Sequence, residues 1–158
     1  MNRIVLTSLV LFFALVSAAP AAAHCQIPCG IYDDELRVEM IEEDITTVEK
    51  SMKKIVALGK ADPVNYNQLV RWVDNKEEHA QKIQDIVTAY FMAQRIKPAD
   101  PDAKERGAYV NQLTLLHAIQ IHAMKAKQST DLDQIEALRK LVAEFREAYF
   151  GEEGGHGH

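Results

Sequence analysis

The residues best suited to chemistry in this chain of 158 residues lie close together near its N-terminus. Residues 24–32 read His-Cys-Gln-Ile-Pro-Cys-Gly-Ile-Tyr and directly follow three alanines at 21–23. If a peptidase cuts after Ala23, His24 becomes the first residue of the mature chain. Its free α-amine and its imidazole then lie close to the thiols of Cys25 and Cys29. This density of nitrogen and sulfur donors predicts a metal-binding hook over residues 24–32.

The donors of the hook suit a metal that prefers a square plane. The α-amine, the Cys25 amide nitrogen and the Cys25 thiolate can form two fused five-membered chelate rings, and Cys29 can complete the plane. Square-planar sites with nitrogen ligands are typical of Ni(II) and Cu(II), whereas tetrahedral thiolate sites are typical of zinc. Because thiolates tend to reduce Cu(II), the donor set favours nickel. The His24 imidazole is left to bind axially, where it would stabilise Ni(III), and such a site suits one-electron chemistry on a small substrate.

Residues 1–23 have the layout of a secretory signal peptide, with Arg3 near the start, an apolar stretch over 4–16 and small residues over 17–23. The apolar stretch is shorter than the roughly 20 residues of a membrane span, so we expect the processed chain to be exported and outside the membrane. Ala21 and Ala23 suit a cut after Ala23, and a cut after Ala21 is the alternative. The whole chain carries a formal charge of −5 without a basic run, which argues against a nucleic-acid partner.

The rest of the chain predicts an all-α fold, an antiparallel four-helix bundle over 33–150 followed by a disordered Gly/His tail at 151–158. The helices are expected at 33–60, 65–96, 102–127 and from about 132 to 150, with Gly, Pro or Ser-Thr-Asp breaks between them. Their apolar stripes, at steps of three and four, are Ile41, Ile45, Val48, Met52 and Ile55; Leu69, Val73, Ala80, Ile83, Val87 and Tyr90; Tyr109, Leu113, Leu116, Ile119 and Ala123; and Ile135, Leu138, Val142, Phe145 and Tyr149.

The order His-Cys-x-x-Pro-Cys-Gly-x-Tyr at a processed N-terminus resembles the nickel hook of the nickel-containing superoxide dismutases. The fixed positions of that motif are His24, Cys25, Pro28, Cys29, Gly30 and Tyr32. The resemblance implies disproportionation of superoxide to dioxygen and hydrogen peroxide while nickel alternates between Ni(II) and Ni(III). It also implies one nickel ion per subunit and a homohexamer.

By matching position, the resemblance implies a role for each residue of the hook. His24 would supply the α-amine and the axial imidazole, Cys25 its amide nitrogen and thiolate, and Cys29 its thiolate. Pro28 and Gly30 would shape the hook. Tyr32 would stand over the open face of the metal as the catalytic tyrosine that restricts access.

Outside the hook the resemblance implies two further residues. Glu39 matches the family glutamate that orients the axial histidine, with one residue deleted before Arg37, and Tyr90 matches a second tyrosine near the site. No arginine is assigned as the partner of that glutamate, and Lys76 is one candidate cation for attracting superoxide. Family members commonly mature by a dedicated peptidase acting on a propeptide, so a cytoplasmic chain with a processed propeptide is the alternative to export.

Two other functions stay open. The same ligands would serve a non-catalytic carrier of nickel or copper. Alternatively, Cys25 and Cys29, the only two cysteines, form a disulfide in an exported helical adapter. The remaining histidines favour ordinary positions: His117 and His122 are poorly placed to share a helix face, His79 belongs to the bundle, and His156 and His158 lie in the polar tail.

Overall fold

The computed structural model describes residues 30–151, and within them the chain contains four helices and no strand. Helix α1 spans Asp34–Gly59, α2 spans Tyr66–Asp85 and continues directly as a π-helix over Ile86–Arg95, α3 spans Arg106–Gln128, and α4 spans Asp133–Phe150. The all-α prediction is confirmed. The predicted leader, the hook up to Cys29 and the tail after Gly151 lie outside the described residues. No helix of the described part is long and apolar enough to cross a membrane.

The helices begin and end close to the predicted breaks, for local reasons. The Asp33 side chain accepts a hydrogen bond from the Leu36 backbone N–H at 3.1 Å and caps α1, and Asn65 caps α2 in the same way. Helix α3 begins four residues later than predicted. The backbone of 101–105 instead forms successive turns, in which Ala103 N–H donates to Asp100 and Arg106 N–H donates to Ala103, each at 3.0 Å.

The core draws on all four helices and confirms most of the predicted stripes. Ile41, Ile45, Ile83, Leu116 and Leu138 are among its fully buried side chains. The apolar stripe of α2 is the exception, because it is covered only in its second half. Val73 lies at 36% exposure, and nearby Tyr66 and Val70 on the same helix are 72% and 57% exposed.

Hydrogen bonds and ion pairs between helices show which positions of neighbouring helices meet. Between α1 and α2, Asp44 contacts His79 and Ser51 contacts Asn75. Between α2 and α3, Gln84 contacts Gln120 and Lys76 contacts Ala126. Between α1 and α4, Glu35 contacts Arg146 and Glu49 contacts Arg139. In each case the residue number rises along one helix as it falls along its neighbour.

Candidate functional site

The chain enters the helical body at Asp34, the first residue of α1, whose carboxylate is the centre of a polar cluster. Its Oδ1 accepts a hydrogen bond from Tyr90 Oη at 2.5 Å. Its Oδ2 accepts from Arg95 Nε at 3.0 Å, Arg95 Nη2 at 2.7 Å and Tyr149 Oη at 2.8 Å. These four residues, here called the anchor cluster, tie the start of α1 to the π-helix and to the end of α4.

Burial and hydrogen bonding determine the charge states within the anchor cluster. Burial alone would raise the pKa of Asp34, but the hydrogen bonds from Arg95, Tyr90 and Tyr149 outweigh burial and hold the pKa below its ordinary value. Burial and the adjacent Asp34 carboxylate raise the pKa of Tyr149 to about 12, and the same two causes raise the pKa of Tyr90 further. At neutral pH Asp34 is therefore an anion, and both phenols remain protonated as donors.

The π-helix explains how Tyr90 and Arg95 reach the same carboxylate. In an α-helix, residues five apart point about 140° away from each other, since each residue turns by about 100°. In a π-helix the backbone bonds join residues five apart, which places such residues on one face. The Ile96 N–H donates to Phe91 O at 2.9 Å in this register, and the Gln94 side chain donates to Ala89 O at 2.7 Å.

Tyr32, the predicted catalytic tyrosine, lies against this cluster. The Arg95 guanidinium carbon is 4.4 Å from the centre of the Tyr32 ring, and Tyr90 meets the same ring edge-on with centroids 6.0 Å apart. The Asp33 N–H donates to Tyr90 Oη at 2.9 Å. Tyr32 is nevertheless 43% exposed. The described end of the hook is thus held on one side and open to solvent on the other.

Gly30, at the described end of the predicted hook, adopts a backbone conformation that favours glycine. Its φ of +73° lies in the left-handed region that other residues rarely adopt. A Cβ placed there would meet nothing within 4 Å. The requirement is therefore one of backbone conformation and not of space.

The structure brings some predicted residues together and not others. Tyr32 and Tyr90, both of which the resemblance assigns to the site, lie in edge-to-face contact, and their roles stay predictions. Glu39 is exposed on α1, where it lines an open groove with Glu42, Glu43 and Arg139, and within 30–151 no hydrogen bond or ion pair joins it to Tyr32 or the anchor cluster. His24, Cys25, Pro28 and Cys29 lie outside the described residues, so their predicted roles stay predictions.

Lys76 does not fit the role of a cation that attracts substrate. Only 4% of it is exposed, because its ammonium donates to Ala126 O at 2.8 Å and to Lys127 O at the end of α3. It also lies about 20 Å along the helix from Tyr90, at 1.5 Å per residue. Arg37 lies closer to the site, with its guanidinium carbon 5.1 Å from the centre of the Tyr90 ring.

Two histidines of the bundle have protein partners. His79 Nδ1 lies 2.6 Å from Asp44 Oδ1, and His122 Nδ1 lies 3.0 Å from Gln134 Oε1. Within the described range, no three His, Cys, Asp or Glu side chains converge into a metal-binding group. The predicted donor set for nickel stays the one in residues 24–29, which precede Tyr32 in the sequence.

The described residues form a small helical protein in which a tyrosine pair and a largely buried ion pair lie just after a donor-rich segment of the sequence. The sequence matches the family of nickel-containing superoxide dismutases over residues 19–153. The chain therefore belongs to that family: it is a superoxide dismutase, an oxidoreductase, and its cofactor is nickel. The comparisons with curated proteins and with solved structures found no match. Membership of this family favours the enzyme over the carrier and the adapter.

Proposed function

We propose that this enzyme disproportionates superoxide to dioxygen and hydrogen peroxide at a hook formed by residues 24–32. The α-amine and imidazole of His24, the amide nitrogen and thiolate of Cys25 and the thiolate of Cys29 would hold the nickel ion. Nickel supplies one-electron exchange between Ni(II) and Ni(III). The observation that carries the proposal is the fixed end of the hook: Gly30 has the left-handed φ and Tyr32 packs on Arg95 and Tyr90.

In this proposal Tyr32 narrows the approach to the open face of the site and offers its phenol to small molecules that arrive there. Its ring is held from one side by a guanidinium and from its edge by Tyr90, which supports a fixed position. Its partial exposure supports contact with the substrate. Glu39 remains the proposed partner of the His24 imidazole, and its exposed position suits contact with a hook outside its own helix.

The proposed assembly is an antiparallel four-helix subunit in a homohexamer. The hydrogen bonds between neighbouring helices support the antiparallel arrangement, because residue numbers rise along one helix as they fall along the other. Exposed apolar side chains support contacts between subunits, because large apolar groups left in water favour association. Those on α2 and α3 are Tyr66, Val70, Val73, Val110 and Met124.

Maturation and location follow from the leader in this proposal. A peptidase removes residues 1–23 and frees the α-amine of His24, and the mature enzyme acts in the periplasm or outside the cell. Cytoplasmic processing of a propeptide is the alternative. N-terminal sequencing of the purified protein and fractionation of the producing cells distinguish the two.

Nickel content and superoxide dismutation, measured together on proteins that begin at His24, test the proposed site. Cys25→Ser and Cys29→Ser should lose most bound nickel and all measurable dismutation. His24→Gln keeps the α-amine, so it should retain nickel but lose most activity. His117→Gln, on the exposed side of α3, is the matched control and should change neither. Full activity of either cysteine variant would contradict the proposed ligands.

A further inference from the structure

We propose that Arg95 is a positioning residue for Tyr32 and that the π-helix brings Arg95 to the Tyr32 ring. The inference rests on the proposed function of Tyr32, and it names a residue that sequence reasoning did not assign. It also assigns a role to the π-helix in this enzyme. Residues in π-helical turns frequently occur at functional sites, since the wider turn is less favourable than an α-helical one.

The bundle restrains the backbone at the junction with the hook. Tyr32 is followed by Asp33, whose N–H donates to Tyr90 Oη at 2.9 Å and whose carboxylate caps α1. Asp34 is already the first helical residue and lies in the anchor cluster. The backbone on the C-terminal side of Tyr32 is therefore held by the bundle, and the orientation of the Tyr32 ring is the remaining freedom.

Arg95 has the contacts needed to set that orientation. Its Nε and Nη2 both donate to Asp34 Oδ2, and its side chain is 18% exposed against 14% for Asp34. A guanidinium held in this way presents a planar face of fixed direction, and this face lies 4.4 Å from the Tyr32 ring centre. Without it, Tyr32 would retain the edge contact with Tyr90 at 6.0 Å.

The ends of two helices favour the same arrangement. Asp34 lies at the N-terminus of α1, where the helix dipole favours a negative charge, and Arg95 is the last residue of the π-helix, where exposed carbonyls favour a positive one. Lys97 satisfies one of those carbonyls by donating to Gln94 O at 2.7 Å. Arg95 therefore remains available to Asp34 and to Tyr32.

The test compares Arg95→Gln and Arg95→Lys with Arg106→Gln, a matched control in which an arginine packs on another tyrosine, Tyr109, at 5.4 Å. The first readout is amide hydrogen exchange of nickel-free protein at Asp33, whose N–H donates to Tyr90 beside the Tyr32 ring. Arg95→Gln should speed it about tenfold, the effect of losing roughly one partly buried cation–π contact. Arg95→Lys should restore thermal stability, because it keeps the charge beside Asp34, but not the slow exchange. Arg106→Gln should change neither.

The second readout is a double-mutant cycle on dismutation by the nickel-loaded enzyme. Arg95→Gln should lower kcat/KM about tenfold in the native background and have little further effect beside Tyr32→Ala, because it acts through that ring. Equal effects in the two backgrounds, or unchanged exchange at Asp33, would overturn the positioning role. Since the exchange experiment needs neither nickel nor activity, a failure of the proposed hook and a failure of this inference give different results.

Discussion

Replacing Asp34 with Asn should destabilise the protein far more than its place at a helix terminus would suggest. The carboxylate accepts four hydrogen bonds from three side chains, one of them a charged partner, and only 14% of the side chain is exposed. Breaking a fully buried ion pair costs about 3–5 kcal/mol. Asn keeps an acceptor oxygen and the pair is partly exposed, so we expect a loss of about 2–3 kcal/mol in the free energy of unfolding.

Thermal unfolding of nickel-free protein, followed by far-UV circular dichroism at neutral pH, measures this loss. For a chain of this size each kcal/mol corresponds to about 4 °C, so Tm should fall by about 8–12 °C. Asp133→Asn is the matched control, because Asp133 is the first residue of α4 and is exposed. It removes the same favourable charge at a helix N-terminus and should cost about 0.5 kcal/mol, or about 2 °C.

The two variants separate the anchor cluster from an ordinary charge at a helix end. If Asp34→Asn and Asp133→Asn lowered Tm by the same small amount, the anchor cluster would contribute nothing beyond a helix-end charge. A junction between hook and bundle held by Asp34 would then be ruled out as well.

Three further predictions follow from the same geometry. The Tm difference between the native protein and Asp34→Asn should be full above the ordinary Asp34 pKa of 3.8 and should shrink as pH falls below it. The reason is that the pKa of Asp34 is lowered in the folded protein, so protonation removes the stability that the carboxylate contributes. A Tm difference that grows on acidification would contradict this pH dependence. Gly30→Ala should weaken nickel binding about 5- to 30-fold, because alanine in the left-handed conformation costs about 1–2 kcal/mol. The Tm of nickel-free protein should not change, and Gly30→Asn should lose less nickel affinity than Gly30→Ala. Nickel titration measures these affinities, and equal values for the native protein and Gly30→Ala would contradict the prediction. Arg37→Gln should lower kcat/KM a few-fold at low ionic strength and converge with the native enzyme at high salt, as expected for a cation that attracts an anionic substrate; a salt-independent loss would contradict this role.

Much of the fold was predictable because the apolar residues repeat at helical spacing. Ile41, Ile45, Val48 and Met52 are all buried as that spacing requires. The same helical spacing also aligns two charged residues with buried apolar ones. Asp34 lies four residues before buried Val38, and Lys76 lies four residues before buried Ala80. A charged residue on an apolar stripe indicates a buried group with a partner, and both residues prove to be of that kind.

Arg95 could not be predicted in this way, because a repeat of 3.6 residues places it on a different face from Tyr90. Only the wider turn of the π-helix brings the two together. Its partner Asp34 is also 61 positions away in sequence. The resemblance therefore pointed to Tyr32 and Tyr90 but not to the Asp34–Arg95 ion pair next to them.

In the proposed site, nickel is held through the free α-amine of His24. The most direct test is the rate of superoxide dismutation per bound nickel for protein that begins at His24, compared with the same protein carrying one additional alanine in front. The added residue keeps both thiols and the imidazole but moves the amine out of the chelate. We predict full activity in the first protein and a large loss in the second. Equal activity in both would contradict the proposed coordination.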